Sequence, residues 1–211
     1  MIGVYGGSFD PVHLGHIATA TEAGEFAGCD RVLMVPAALS PGKQSPGASD
    51  DQRLAMLGLA IMDIPLLQLE TCELDRQGNS YTVETLEYLK QQSDETLLLI
   101  LGSDAFLSLP GWYRWLDLFK LAHILVARRP GVAIEPGVEL KEQLETRWID
   151  QPAVFKQESQ GKVLAVSLSQ HPISSTTIKQ QLLMGHGLQE MAPKLPNGVE
   201  RYIASQQLYL E

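Results

Sequence analysis

The run Thr96–Leu101, TLLLIL, is apolar at every position after its threonine. A surface helix or a one-sided strand would alternate polar residues into such a run, so it reads as a strand covered on both faces. Shorter runs of similar character occur at Ile2–Tyr5, Arg31–Val35, Leu66–Leu69, His123–Ala127 and Lys162–Val166. Helical patterning separates or follows them at Leu14–Ala27, Tyr81–Gln91, Ile178–Leu183 and Val199–Ala204. One more helix is predicted to run to about Met62, opened by a capping box of Ser49 with Gln52. Strands alternating with helices give a doubly wound α/β fold, a parallel sheet with helices on both sides. Ligands of such sheets bind beyond the carboxyl ends of the strands, so chemistry is expected in the turns after Tyr5, Val35, Leu101 and Val166. The expectation is a single domain over residues 1–211, with a small helical C-terminal part from about residue 170.

Composition narrows the partners. The chain has 211 residues, 45% apolar and 19% charged, ordinary values for a globular enzyme. Its 25 acidic side chains outnumber 16 basic ones, for a net charge of -9. A nucleic acid would be repelled, whereas a small anionic substrate needs only a local positive pocket. No apolar run approaches the roughly 18 residues of a membrane span, and the opening MIGVYGG is not a secretory leader. Cys29 and Cys72 lack the paired spacing of zinc or redox sites, which fits a reducing cytoplasmic compartment.

The densest signal lies between the first strand and the first helix, in Gly6-Gly7-Ser8-Phe9-Asp10-Pro11-Val12-His13-Leu14-Gly15-His16. Glycines there let the backbone approach a bulky ligand with its N–H groups exposed. His13 and His16 share one face of the first helical turn. A helix N-terminus carries partial positive charge and unpaired N–H donors, so two imidazoles aimed at it suit phosphate. The alternative is a plain tight turn whose histidines cap or pack. Further ligands at metal spacing are missing, which argues against zinc. The Walker pattern and the dinucleotide-binding fingerprint are both absent.

His13-Leu14-Gly15-His16 resembles the HxGH motif of a nucleotidyltransferase superfamily. The resemblance implies a Rossmann-like fold, a nucleoside triphosphate substrate with Mg²⁺ on its phosphates, and direct nucleotidyl transfer. It makes His13 and His16 catalytic and places Gly6, Gly7, Ser8 and Phe9 against ATP. His171-Pro172-Ile173-Ser174-Ser175-Thr176-Thr177-Ile178-Lys179 resembles that superfamily's ISSTxIR element, which opens a helix and holds the triphosphate. Ser174, Ser175, Thr176 and Lys179 are then ATP-binding residues, although the block alone also reads as an ordinary helix N-cap. Lys179 stands where the family has arginine; it keeps the charge and loses the two-pronged guanidinium geometry.

The middle of the chain is similar to the bacterial nicotinate-nucleotide adenylyltransferases. The likeness rests on Ser80-Tyr81-Thr82-Val83-Glu84-Thr85-Leu86, Gly102-Ser103-Asp104-Ala105-Phe106 and Pro110-Gly111-Trp112-Tyr113, on HILVARRPG at His123–Gly131 and on the ending LPNGVERYIASQQLY. It spans Gly3 to Tyr209. A Trp face attracts a flat, cationic pyridinium ring, and the resemblance gives that role to Trp112. Thr82 and the backbone around Tyr113 would meet the pyridine carboxylate. The bland alternatives are that Trp112 and Tyr113 anchor a surface loop and that Thr82 caps a helix. Asp104 would meet the ribose hydroxyls of ATP or a phosphate-bound metal, or else cap a helix. Positive charge would come from Lys43 on ATP, Arg129 on the pyridine nucleotide, Arg128 and Lys179; Arg53 is either a further cation near Lys43 or a solvated surface residue. Lys43 ends Ser40-Pro41-Gly42-Lys43, where the family reads PPHK or PPHR, so Gly42 replaces a histidine. The surrounding loop, Pro36 to Ala48, is long for a connection, as lids are. No residue is assigned to a metal. The implied reaction joins ATP and nicotinate mononucleotide. The alternatives are another phosphate monoester acceptor (nicotinamide mononucleotide, phosphopantetheine) or a nucleotide-binding regulator without turnover.

Overall fold

In a computed structural model, which describes residues 1–39, 45–76, 78–128, 133–169 and 171–209, the chain alternates strands and helices from its first residues. Strand β1 (Ile2–Gly7) leads to α1 (Leu14–Ala27), β2 (Arg31–Pro36) to α2 (Asp50–Ile61), and β3 (Leu67–Leu69) to α3 (Cys72–Asp75) and α4 (Thr82–Gln92). Then come β4 (Leu97–Gly102), α5 (Ser103–Leu107), α6 (Trp115–Leu121), β5 (Ala122–Arg128), α7 (Val138–Leu144) and β6 (Val163–Ser167). Helices α8 (Ser175–Leu183), α9 (Leu188–Met191) and α10 (Val199–Ser205) follow. The six strands form one sheet in the order β3-β2-β1-β4-β5-β6, with every neighbour parallel. Strand order reverses between β1 and β4, where a doubly wound sheet leaves a crevice at its carboxyl edge.

Both faces of the sheet are apolar, which explains the unbroken TLLLIL run. Leu98 and Ile100 enter one hydrophobic cluster, and Leu97, Leu99 and Leu101 enter the other. Val32 and Met34 alternate with Leu33 and Val35 in the same way. The first cluster is closed by α1, α2 and the C-terminal helices, through Ala20, Met56, Leu57, Ile178, Leu182, Val199 and Ile203. The second is closed by α4, α6 and α7, through Leu86, Phe119 and Leu140. Among the described residues no helix is long and apolar enough to cross a membrane.

The expected strands and longer helices are present, with ends displaced by a residue or two and α8 starting earlier, at Ser175. The Ser49 box forms: Gln52 N–H donates to Ser49 Oγ at 3.3 Å, and Ser49 N–H to Gln52 Oε1 at 2.9 Å. Helices α3, α6 and α7 have no counterpart in the sequence reading, α5 is foreshadowed only by the cap offered at Asp104, and α9 falls unmarked within the helical C-terminal part. They have four to seven residues, one or two turns in which a helical period is weak. Residues 40–44, with Gly42 and Lys43, and residues 129–132, with Arg129, lie outside the described residues.

Helix α1 lies close on the sheet because glycines flank Val32. A Cβ at Gly24 would stand 2.5 Å from Val32 Cγ2, and one at Gly3 would stand 2.9 Å from the same methyl. Gly24→Ala gains about 1 kcal/mol of helix propensity and meets roughly 1–3 kcal/mol of overpacking. Stability by urea denaturation is expected to fall, and Val32→Ala in the same chain should recover part of the loss.

Candidate active site

The β1–α1 turn carries the two histidines into the crevice side of the sheet. Their rings stack, with centroids 3.6 Å apart and planes 20° from parallel. His13 is the N-cap residue of α1, and its backbone N–H donates to His16 Nδ1 at 3.2 Å. That bond fixes the tautomer of a neutral His16: Nδ1 accepts, so Nε2 carries the proton and is the donor. Gly15 lets this stack pack closely. A Cβ there would lie 3.1 Å from His13 Nδ1 and 3.3 Å from His171 Cβ. Phe9 packs edge-on against His16, 5.1 Å between centroids, and Tyr5 lies 6.4 Å from it.

Burial pushes the His13 imidazole down to about 4, and nearby His171 adds to the shift. Burial, then His13 itself, holds His16 well below the usual histidine range. The pair is therefore uncharged at neutral pH and offers hydrogen bonds rather than net charge. The field for an anion comes from backbone: neither α1 nor α8 has an acidic residue in its first turn. The two helix starts converge, because Ser175 Oγ donates to the Pro11 carbonyl at 2.9 Å.

The second sequence block divides by task. Ser174 caps α8, its Oγ accepting from Thr177 N–H at 3.1 Å, and Thr176 is exposed. The Ser175 hydroxyl serves the Pro11 contact, and the Lys179 ammonium is turned onto the buried Asp10 carboxylate. Arg53 is neither a solvated residue nor an open cation. It is fully buried, donating to the Ser8 carbonyl at 2.8 Å and to Asp50 at 2.6 Å. Gly7 makes room for Phe9, whose ring carbons would lie 3.1 Å from a Cβ there, while a Cβ at Gly6 would meet only the Val35 carbonyl at 3.9 Å. Asp10, His171 and Tyr209 were not singled out by sequence; of these, only Asp10 lay inside the densest motif.

The SYT and GWY blocks meet. Tyr81 and Tyr113 rings are 4.7 Å apart. Arg114, in left-handed backbone at φ 51°, spans from Asp117 to both oxygens of Glu87 on α4. Trp112 packs partly on the second cluster and donates from Nε1 to Ser108 Oγ at 3.1 Å. Thr82 is the first residue of α4, with Tyr81 as N-cap, so it does not cap the helix. Asp104 is exposed in the first turn of α5, where Gly102 is the N-cap, so it does not cap either. Ser80 joins this block to the end of β2, accepting from Ala38 N–H at 2.9 Å. Arg128, at the end of β5, donates to Ser167 Oγ at 2.9 Å.

The depressed histidines make stability depend on pH. An unfolded histidine takes its proton near 6.5 and folded His13 only near 4. The unfolded chain thus binds more protons between these values, and stability drops as pH falls through that window. The urea midpoint is expected to decline from pH 6.5 to 4.5, with a shallower slope in His13→Asn.

The cytidylyltransferase-like family model matches residues 4–181. A Methylococcus capsulatus protein named "Probable nicotinate-nucleotide adenylyltransferase" is 39% identical over 211 residues, covering 99% of each chain. A Pseudomonas putida protein of the same name is 37% identical over 210 residues, covering 99% of this chain and 94% of its own. The solved Plasmodium falciparum nicotinic acid mononucleotide adenylyltransferase complexed with NaAD has the same fold. Its TM-score is 0.73 at 16% identity, over 99% of this chain and 96% of that one. The matches run through the two-histidine turn and the paired SYT and GWY blocks alike, and the chain belongs to the cytidylyltransferase-like family and, within it, to the nicotinate-nucleotide adenylyltransferases.

Proposed function

We propose that the protein transfers the adenylyl group of ATP to the phosphate of nicotinate mononucleotide, forming nicotinate adenine dinucleotide and pyrophosphate. The carrying observation is the stacked, uncharged His13–His16 pair at the start of α1, with the start of α8 stapled beside it. A phosphate oxygen of the mononucleotide attacks the α-phosphorus in line, and the bond from that phosphorus to the β-bridging oxygen breaks. The nucleophile is already an anion, so no general base is needed. The work of the site is then to align two polyanions and to stabilise charge on the transferring group.

In this reading His13 and His16 donate to the α- and β-phosphates, while the turn Gly6-Gly7-Ser8-Phe9 borders the nucleotide. Ser174 and Thr176 stand at the α8 start, Asp104 faces the ribose, and Lys43 meets the leaving pyrophosphate. Trp112 stacks on the pyridine, with Thr82, Tyr113 and Arg129 around its carboxylate and phosphate. Among the described residues no three His, Cys, Asp or Glu side chains group as a metal site. The buried carboxylate of this turn, Asp10, has both oxygens filled by hydrogen bonds. In this reading Mg²⁺ belongs to the substrate, arriving on ATP. A reducing cytoplasmic setting suits the free Cys29 and Cys72.

The direct test is pyrophosphate release with MgATP and nicotinate mononucleotide, nicotinamide mononucleotide or phosphopantetheine in parallel. The acid mononucleotide should be the best acceptor; release with none of them would end this reading. His16→Ala should stay folded and lose about 100-fold or more in turnover. Trp112→Ala should raise KM for the pyridine nucleotide and leave KM for ATP unchanged. Equal weakening of both substrates would make Trp112 a loop anchor.

A further inference from the structure

Asp10 sits in the β1–α1 turn, 3% exposed, and the chemistry above gives it no part. Its carboxylate accepts four hydrogen bonds from three distant segments. Oδ2 takes Gly47 N–H at 2.9 Å and the Lys179 ammonium; Oδ1 takes Ala48 N–H at 3.0 Å and the Tyr209 hydroxyl at 2.8 Å. The Tyr209 ring lies against the bare face of Gly47, where a Cβ would stand 3.3 Å from Cε1. Both chain neighbours of Asp10 also serve the site. Phe9 packs on His16, and Pro11 accepts from Ser175.

A buried ion pair is a poor way to gain stability, since desolvation offsets the Coulomb attraction. This one ties three segments together: its four donors join the turn carrying His13 to α8, to the Gly47–Ala48 backbone and to the C-terminal segment. We propose that Asp10 and Tyr209 are positioning residues, a clamp in which the C-terminal segment locks Lys179 and the Gly47–Ala48 backbone onto the turn and so aligns the His13–His16 pair. The lysine at 179 suits this arrangement. A compact ammonium fits one remaining site on an oxygen already bonded, where the fork of a guanidinium would seek two. Lys179 thus acts on the site through Asp10.

The inference rests on the adenylyl-transfer reading, and two measurements separate their failures. Tyr209→Phe removes one oxygen and keeps the ring on Gly47. Its kcat should fall about tenfold, as befits a lost hydrogen bond to a charged group, with KM for both substrates within about twofold. The imidazole proton resonances of His13 and His16 should also shift. Asp10→Asn should lose at least as much, and the double variant no more than Asp10→Asn alone, because the hydroxyl then has no carboxylate to act on. Should Asp10→Asn fail to fold, Tyr209→Phe decides alone. Wild-type kcat in Tyr209→Phe, or a deficit that vanishes on cooling well below the melting midpoint, overturns the clamp. If the wild-type protein releases no pyrophosphate with any acceptor, the adenylyl-transfer reading fails. The clamp is then judged on the resonances, which unmoved would overturn it.

Discussion

An imidazole pressed against another imidazole and against aromatic rings cannot afford a proton, and the rest of the site follows from that desolvation. With His13 and His16 uncharged in the free protein, the proposed attraction for a polyphosphate falls to the two helix starts, and the histidines are proposed to provide direction. This division tolerates the net charge of -9, because hydrogen-bond geometry and helix-end dipoles act over a few ångströms while the surface charge is screened beyond a Debye length. The glycine between the histidines belongs to the same arrangement, since a methyl group there would stand 3.1 Å from His13 Nδ1 and force that ring to give by a few tenths of an ångström.

The fold was legible because its strands are buried on both faces. Runs such as TLLLIL have few alternative homes, and the capping box at Ser49 and the α1 boundaries depend on neighbours within a few positions. The histidine motif was legible for the same reason, being contiguous. What escaped the sequence is what depends on distant partners. Nothing near Arg53 says that its guanidinium is buried beneath Ser8. Nothing near Ser175 or Lys179 says that hydroxyl and ammonium turn inward to Pro11 and Asp10 rather than outward to a ligand. The short helices around Phe106 and Phe119 went largely unread because a single turn or two carries only a weak period; their existence is decided by packing on the sheet.

The two substrate sides of the crevice are built differently. The side proposed for the polyphosphate is assembled from backbone, buried polar contacts and two helix starts. The side assigned to the pyridine nucleotide is an aromatic shelf, Tyr81, Trp112 and Tyr113, tethered by the partly exposed ion pairs of Arg114. The first is rigid by burial; the second is held by contacts that water and salt can reach.

Ser175 and Tyr209 reach the first turn across 164 and 199 positions of chain. Such contacts close the longest loops in the molecule and are the costliest to form early in folding. During synthesis, the turn that bears the histidines emerges first, takes its early support from Arg53 and the Gly47–Ala48 backbone, and gains its contacts to Ser175, Lys179 and Tyr209 only when the end of the chain has left the ribosome. On the clamp proposed above, competence is the last property the nascent polypeptide acquires, and the face of the sheet that α8 and α10 close is completed at the same late stage.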